Sequence, residues 1–145
     1  VCLKGHTLVM PGCGSLAHLG EMCVDALVST FSLKRAAIVE SAHLLPLAMA
    51  SAWDAPGTAD GALQLTTAAE LYQFESSTPV TVLQLRSDVV AGRRQALANE
   101  LWEWACGAGV AEIVVVSSCS AHVRVDADLA APSSLRYAVF GGEGE

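Results

Sequence analysis

The most constraining feature of this chain is a change of period near its start. Thr7-Leu8-Val9-Met10-Pro11 is a short apolar run closed by proline, which predicts a buried strand. After Gly12-Cys13-Gly14-Ser15 the apolar residues recur as Leu19, Met22, Cys23, Ala26, Leu27, Thr30 and Phe31, a helical stripe. A strand, a tight turn and an amphipathic helix form the opening half of an α/β unit. Ser15 is placed to cap the helix. The stripe is expected to dock on a sheet, because each large side chain contributes roughly 1.5–3 kcal/mol when buried.

The same alternation continues. Ala36–Val39 reads as a second buried strand, and the stretch from Leu44 to Asp60 is broken by Pro46, Pro56 and Gly57. Leu63–Thr66 and Glu70–Glu75 alternate polar with apolar, which predicts an antiparallel hairpin with one wet face. Val80–Arg86 is β-rich. A second helix is predicted from Arg93 to Cys106, with Leu97, Leu101, Trp104, Ala105 and Ala108 on one side and Gly107 and Gly109 ending it. Ile113–Val116 reads as the clearest buried strand, Leu135–Phe140 as the last strand, and Gly141 to Glu145 as a polar tail. Residues 1–145 are therefore expected to form a single α/β domain. Its mostly parallel central sheet is flanked by helices, with an inserted antiparallel hairpin.

Composition narrows the possible partners. The 145 residues are 52% hydrophobic and 16% charged, against about 25% charged in an ordinary soluble domain. Either the core is unusually complete or a partner covers apolar surface. With a net charge of −7 and basic residues scattered apart from Lys34-Arg35 and Arg93-Arg94, no nucleic acid is expected as a partner. A basic protein partner suits the acidic balance better. No run of about 18 apolar residues predicts a membrane span. The chain opens on Val1, with no basic segment leading into an apolar stretch, so no signal peptide is visible. Cys2, Cys13, Cys23, Cys106 and Cys119 are odd in number and widely spread, which predicts reduced, mostly buried thiols and a cytoplasmic or nuclear location.

Chemistry would be expected at two strand exits. Gly12-Cys13-Gly14-Ser15 resembles a phosphate-binding turn; position 17 is Ala17 rather than the third glycine, a change the dinucleotide fingerprint admits, and no Gly-Lys-Ser/Thr follows. Glu40 only loosely fits the acidic residue of a dinucleotide site. Ser117-Ser118-Cys119-Ser120-Ala121-His122 offers a nucleophile and a base without a marked third group, and Gly-x-Ser-x-Gly is absent. Cys119 and His122 form one CxxH pair with no second pair, and His6, His18 and His43 stand alone, so no metal site is expected. Glu100 and Glu103 read as a solvated helix face. No cofactor and no catalytic residue is assigned. A small-molecule enzyme using the two turns stays open as the alternative to a binding protein. Trp102 lies roughly 140° from the centre of its helix's apolar stripe. It belongs either to a second buried face or to a partner interface, which makes it the candidate partner-binding residue.

Gly5-His6-Thr7-Leu8-Val9-Met10-Pro11, Leu19-Gly20 and Cys23–Thr30 resemble the opening of the proteasome assembly chaperone family. Val82–Ser87, the helix with Leu101 and Trp104 leading into Ile113–Ser118, and Leu135-Arg136-Tyr137 follow in the family's order. The chain departs from it at Ala17-His18-Leu19-Gly20, where members usually carry Gly-Asn-Val-Gly. The stretch from Leu44 to Gly61 is only loosely similar. The resemblance implies a non-enzymatic chaperone, with a fold similar to that of nucleoside phosphorylases but without their catalytic residues. It also implies pairing with proteasome assembly chaperone 1 as a heterodimer, and with proteasome α-subunits while the α-ring of the 20S particle forms. Family members commonly run longer. Some end in a hydrophobic-tyrosine-any tail, which Gly141-Gly142-Glu143-Gly144-Glu145 does not match, so no tail residue carries over.

Overall fold

A computed structural model describes residues 1–50, 65–74, 79–123 and 133–141. The first apolar run forms β1 (Thr7–Pro11). A 3-10 turn (Leu16–His18) then leads into α1 (Leu19–Thr30). β2 (Lys34–Ile38), β3 (Ala48–Ala50), β4 (Leu65–Thr67), β5 (Ala69–Gln73) and β6 (Val80–Leu85) follow. α2 (Arg94–Gly107), β7 (Glu112–Val116) and a 3-10 turn at Ala121–Val123 come last.

Five strands make the main sheet in the order β2-β5-β6-β1-β7. β1 lies parallel between β6 and β7, and β5 runs antiparallel between β2 and β6. β3 and β4 form a separate antiparallel pair. Successive side chains of a strand leave opposite faces, and both faces of this sheet are used. Leu8 and Met10 join Leu83, Leu85, Leu97, Leu101 and Ala105 in the core under α2. Val9 and Val82 pack with Val24 and Val28 of α1 on the other face. The α/β architecture with a mostly parallel sheet between helices is as expected, and α2 buries the predicted stripe.

α1 occupies the predicted residues but turns a different side inward. Its buried residues are Gly20, Val24 and Val28, roughly a third of a turn from the Leu19–Phe31 stripe. Met22 is 62% exposed, and Leu19 and Phe31 are exposed as well. Two contacts set this rotation. A Cβ on Gly20 would lie 2.5 Å from the Val116 carbonyl oxygen, so only the bare side of the helix fits against the strand ends. Farther along, the Asp25 carboxylate accepts hydrogen bonds from Gln84 of β6 and, at 2.9 Å, from Arg86 just after it. Gln84 is fully buried, so its amide requires a partner. Close approach and one charged clamp therefore outweigh the apolar stripe.

Other expectations fail where position in the sheet decides burial. The antiparallel hairpin joins β5 to β6 rather than pairing 63–66 with 70–75, and residues 63, 64 and 75 lie outside those described. The supposed wet face of this stretch is buried. Glu70 is fully enclosed, and its carboxylate accepts hydrogen bonds from Arg35 (2.8 Å), the Tyr72 hydroxyl (2.7 Å) and the Thr67 amide (3.1 Å). β2 is a half-exposed edge strand rather than a buried one. β7 is the other edge, with Val115 56% exposed. Residues 135–140 form no strand, and Leu135, Tyr137, Val139 and Phe140 all face solvent. All five cysteines are free, yet Cys2, Cys13, Cys106 and Cys119 are exposed rather than buried.

Candidate functional site

Because β1 and β7 are parallel neighbours in the register Pro11↔Val116, the two strand-exit turns meet. The Gly12 amide donates to the Val116 carbonyl at 2.8 Å, and the Leu16 amide to the Ser118 carbonyl at 3.3 Å. The Ser118 hydroxyl donates to the Leu16 carbonyl at 2.8 Å. Its one proton is thereby used, so the 2.9 Å contact between the Ser118 and Ser15 hydroxyls has Ser15 as donor. Ser15 Oγ in turn accepts the Gly20 amide at 3.0 Å. The expected capping role of Ser15 is thus met one turn late, at α1 rather than at the 3-10 turn.

This chain of bonds is a clasp and assembles no nucleophile. Cys119 and His122 are exposed, and among the described residues neither has a hydrogen-bond or ion-pair partner. His6 Nδ1 meets the Thr81 hydroxyl at 3.0 Å, and His18 lies 3.6 Å from Glu21. No three His, Cys, Asp or Glu side chains among the described residues are grouped to hold a metal.

The crevice in this region lies on the other side of β1. β1 and β6 are adjacent and parallel but feed helices on opposite faces, an arrangement that opens a cleft beyond the strand ends. Here it encloses about 850 Å³ between the Pro11–Ser15 turn, the Leu85–Gly92 segment and the start of α2. The Arg94 guanidinium lies over Gly14 within it. Although Cys13 is exposed as a residue, partial desolvation of its thiol in the cleft raises its pKa above the ordinary value, with Arg94 opposing the rise and Glu21 adding to it. A thiol held protonated is a poor nucleophile. Arg94 was visible in the sequence only as half of a basic pair.

The feature that does stand out is apolar surface. Leu16, Leu19 and Met22 are exposed around the start of α1, which packs against β7, and Val114 and Val115 are exposed on β7 itself. Trp102 is 62% exposed on the outer side of α2. The composition therefore reflects uncovered apolar area as well as a core. Exposed patches of this kind mark interaction sites. Periodicity had assigned Leu19 and Met22 to the core, and only their place relative to Gly20 would have signalled otherwise.

A family model described as the PAC2 family matches residues 9–140. The chain is 31% identical over 134 residues to Proteasome assembly chaperone 2 of Danio rerio, covering 92% of this chain and 50% of that protein. It is 31% identical over 136 residues to the protein of the same name from Nematostella vectensis, covering 92% and 54%. To that of Homo sapiens it is 28% identical over 128 residues, covering 88% and 47%. The chain thus spans about half the length of these relatives. A solved protein of unknown function from Thermoplasma acidophilum shares the fold, with a TM-score of 0.59 and 20% identity over 77% of this chain and 42% of that one.

Proposed function

The chain belongs to the PAC2 family, and from that premise we propose that it is a proteasome assembly chaperone working through protein contacts. In this reading it pairs with a second chaperone subunit, proteasome assembly chaperone 1, and acts on proteasome α-subunits as the α-ring forms in the cytoplasm and nucleus. It performs no chemistry of its own. The observation that carries the reading is the outward-facing apolar ridge of α1, with Met22 62% exposed, on a chain with relatives of that name. A helix that leaves its apolar stripe in water loses roughly 25 cal/mol per Å² of the stabilisation burial would provide, and a partner recovers it. Trp102 on α2 is a second contact candidate on the opposite face.

Affinity capture of the tagged chain from cell extract tests the proposal. It should recover a second chaperone subunit together with several α-subunits. Recovery of neither, alongside turnover of a nucleoside or phosphate ester by the purified chain, would replace the proposal with an enzyme using the strand-exit region.

A further inference from the structure

A second, smaller cavity of about 240 Å³ opens on the α2 side of the sheet, between that helix and the chain just after β2. Its floor belongs to the core, since Ala69, Leu85, Leu97 and Leu101 are buried members of the cluster under α2. The half-buried Trp104 lines it too. The mouth differs in kind. Glu40 and Glu100, both exposed, stand there beside Ser41, and none of the described residues lining the cavity is basic. The Ser41 hydroxyl donates to the Glu100 carboxylate, which leaves its charge uncompensated. Glu40 makes no hydrogen bond or ion pair among the described residues. The volume lies below the roughly 300–1,000 Å³ of sites for drug-sized ligands. It nevertheless exceeds a single water's share of about 30 Å³ several times over, and an apolar stem displaces water from such a floor favourably.

We propose that this cavity receives a basic side chain of a protein partner, its methylene stem on the apolar floor and its charged end at Glu40 and Glu100. Lysine and arginine are built this way, apolar along most of their length and charged at the tip. Trp104 adds an aromatic wall, which attracts a cation held within about 6 Å of its ring. A purely apolar side chain would partly desolvate both carboxylates and give them no counter-charge, which is unfavourable. An acidic one would add repulsion, and a nucleotide exceeds the volume. Over longer distances the net charge of −7 steers a basic partner toward the chain. The inference rests on the chaperone reading for the source of the side chain, and adds what that partner presents.

Titration of the purified 145-residue chain with a capped lysine, Nα-acetyl-lysine methylamide, tests the cavity by itself. In two-dimensional NMR the amide signals of Ala69 and Leu101 and the indole signal of Trp104 should shift together. Capped norleucine keeps the stem but lacks the charge, and should bind about fivefold more weakly. Glu40→Gln with Glu100→Gln should bring capped lysine down to the norleucine level. The thermal midpoint should hold, since both side chains are exposed and glutamine still accepts from Ser41. In affinity capture the same double variant should lose the second chaperone subunit. Absence of shifts at these residues, or equal binding of the two capped residues, overturns the proposal. So does a double variant that keeps the partner. Tighter binding of putrescine than of capped lysine also overturns it, by assigning the cavity to a free diamine. Capture by the unaltered chain decides the chaperone reading, so the two fail separately.

Discussion

The hydroxyls of Ser15 and Ser118 meet at 2.9 Å, joining the exit of β1 to the exit of β7. The Ser118 hydroxyl donates to the Leu16 carbonyl, while the Ser15 oxygen accepts the Gly20 amide. Ser15→Ala removes the acceptor for a buried amide as well as the serine pair, so it should cost about 1–2 kcal/mol. Ser118→Ala leaves the Gly20 bond in place and should cost about 1 kcal/mol or less. Urea unfolding of both variants checks the order; equal costs would mean that the clasp does not hold the helix.

The turn before α1 carries backbone strain. Ala17 and His18 have φ of 54° each, in the left-handed region that glycine and asparagine tolerate best. Ala17→Gly and His18→Asn should therefore each stabilise the fold by about 0.5 kcal/mol, even though glycine ordinarily loses stability through chain entropy. Thermal midpoints rising together, and adding in the double variant, are the expected result.

The rotation of α1 yields opposite outcomes on its two sides. Val24→Asp buries a carboxylate where no partner waits and should unfold the domain. Leu19→Asp and Met22→Asp fall on exposed positions and should change stability by less than about 0.5 kcal/mol. In affinity capture the latter two should lose the partner proteins while remaining folded. A large drop in midpoint for Met22→Asp would show that the stripe faces inward after all.

Trp102→Ala should leave folding nearly unchanged, because the ring is exposed and Leu97, Leu101 and Ala105 carry the inner face of α2. Partner recovery should fall, as truncated aromatic anchors commonly cost binding above 1 kcal/mol. Unchanged recovery would remove Trp102 from the contact surface.

Cys13 should alkylate more slowly than a free cysteine at mildly alkaline pH. Partial desolvation holds its thiol pKa above the ordinary value, so at any given pH less thiolate is present. The rate should rise as pH climbs toward that raised value. Arg94→Ala removes the charge that opposes the rise, and should slow the reaction further. Peptide mapping after timed iodoacetamide treatment measures all three.

Legibility in the sequence followed a physical division. β1, β6 and α2 were readable because their apolar patterns coincide with what they bury, as Leu97, Leu101 and Ala105 show. The inward side of α1 was not. It is chosen by the approach of Gly20 to Val116 and by the bond from Asp25 to Arg86, both long-range facts. Ile113–Val116 has the composition of a central strand but takes the edge, since apolar content does not encode sheet order. Glu70–Gln73 alternates like a wet strand although Glu70 is enclosed, because Arg35 and Tyr72 satisfy its carboxylate. The two strand-exit turns were located correctly, whereas their mutual bonding depended on the register of β1 with β7. The exposure of Trp102 was one of two readings that its angle allowed.

The position of β1 also has a temporal consequence. Its neighbours in the sheet are Val80 and Glu112 against Thr7, the first far along the chain and the second farther still. High sequence separation of this kind delays folding, since loop closure comes before the contacts that reward it. A nascent chain must therefore carry the middle strand of its parallel trio without a hydrogen-bonding mate until β6 has left the ribosome, and without its second until β7 has followed. For that interval the protein is itself dependent on whatever shields unfinished chains.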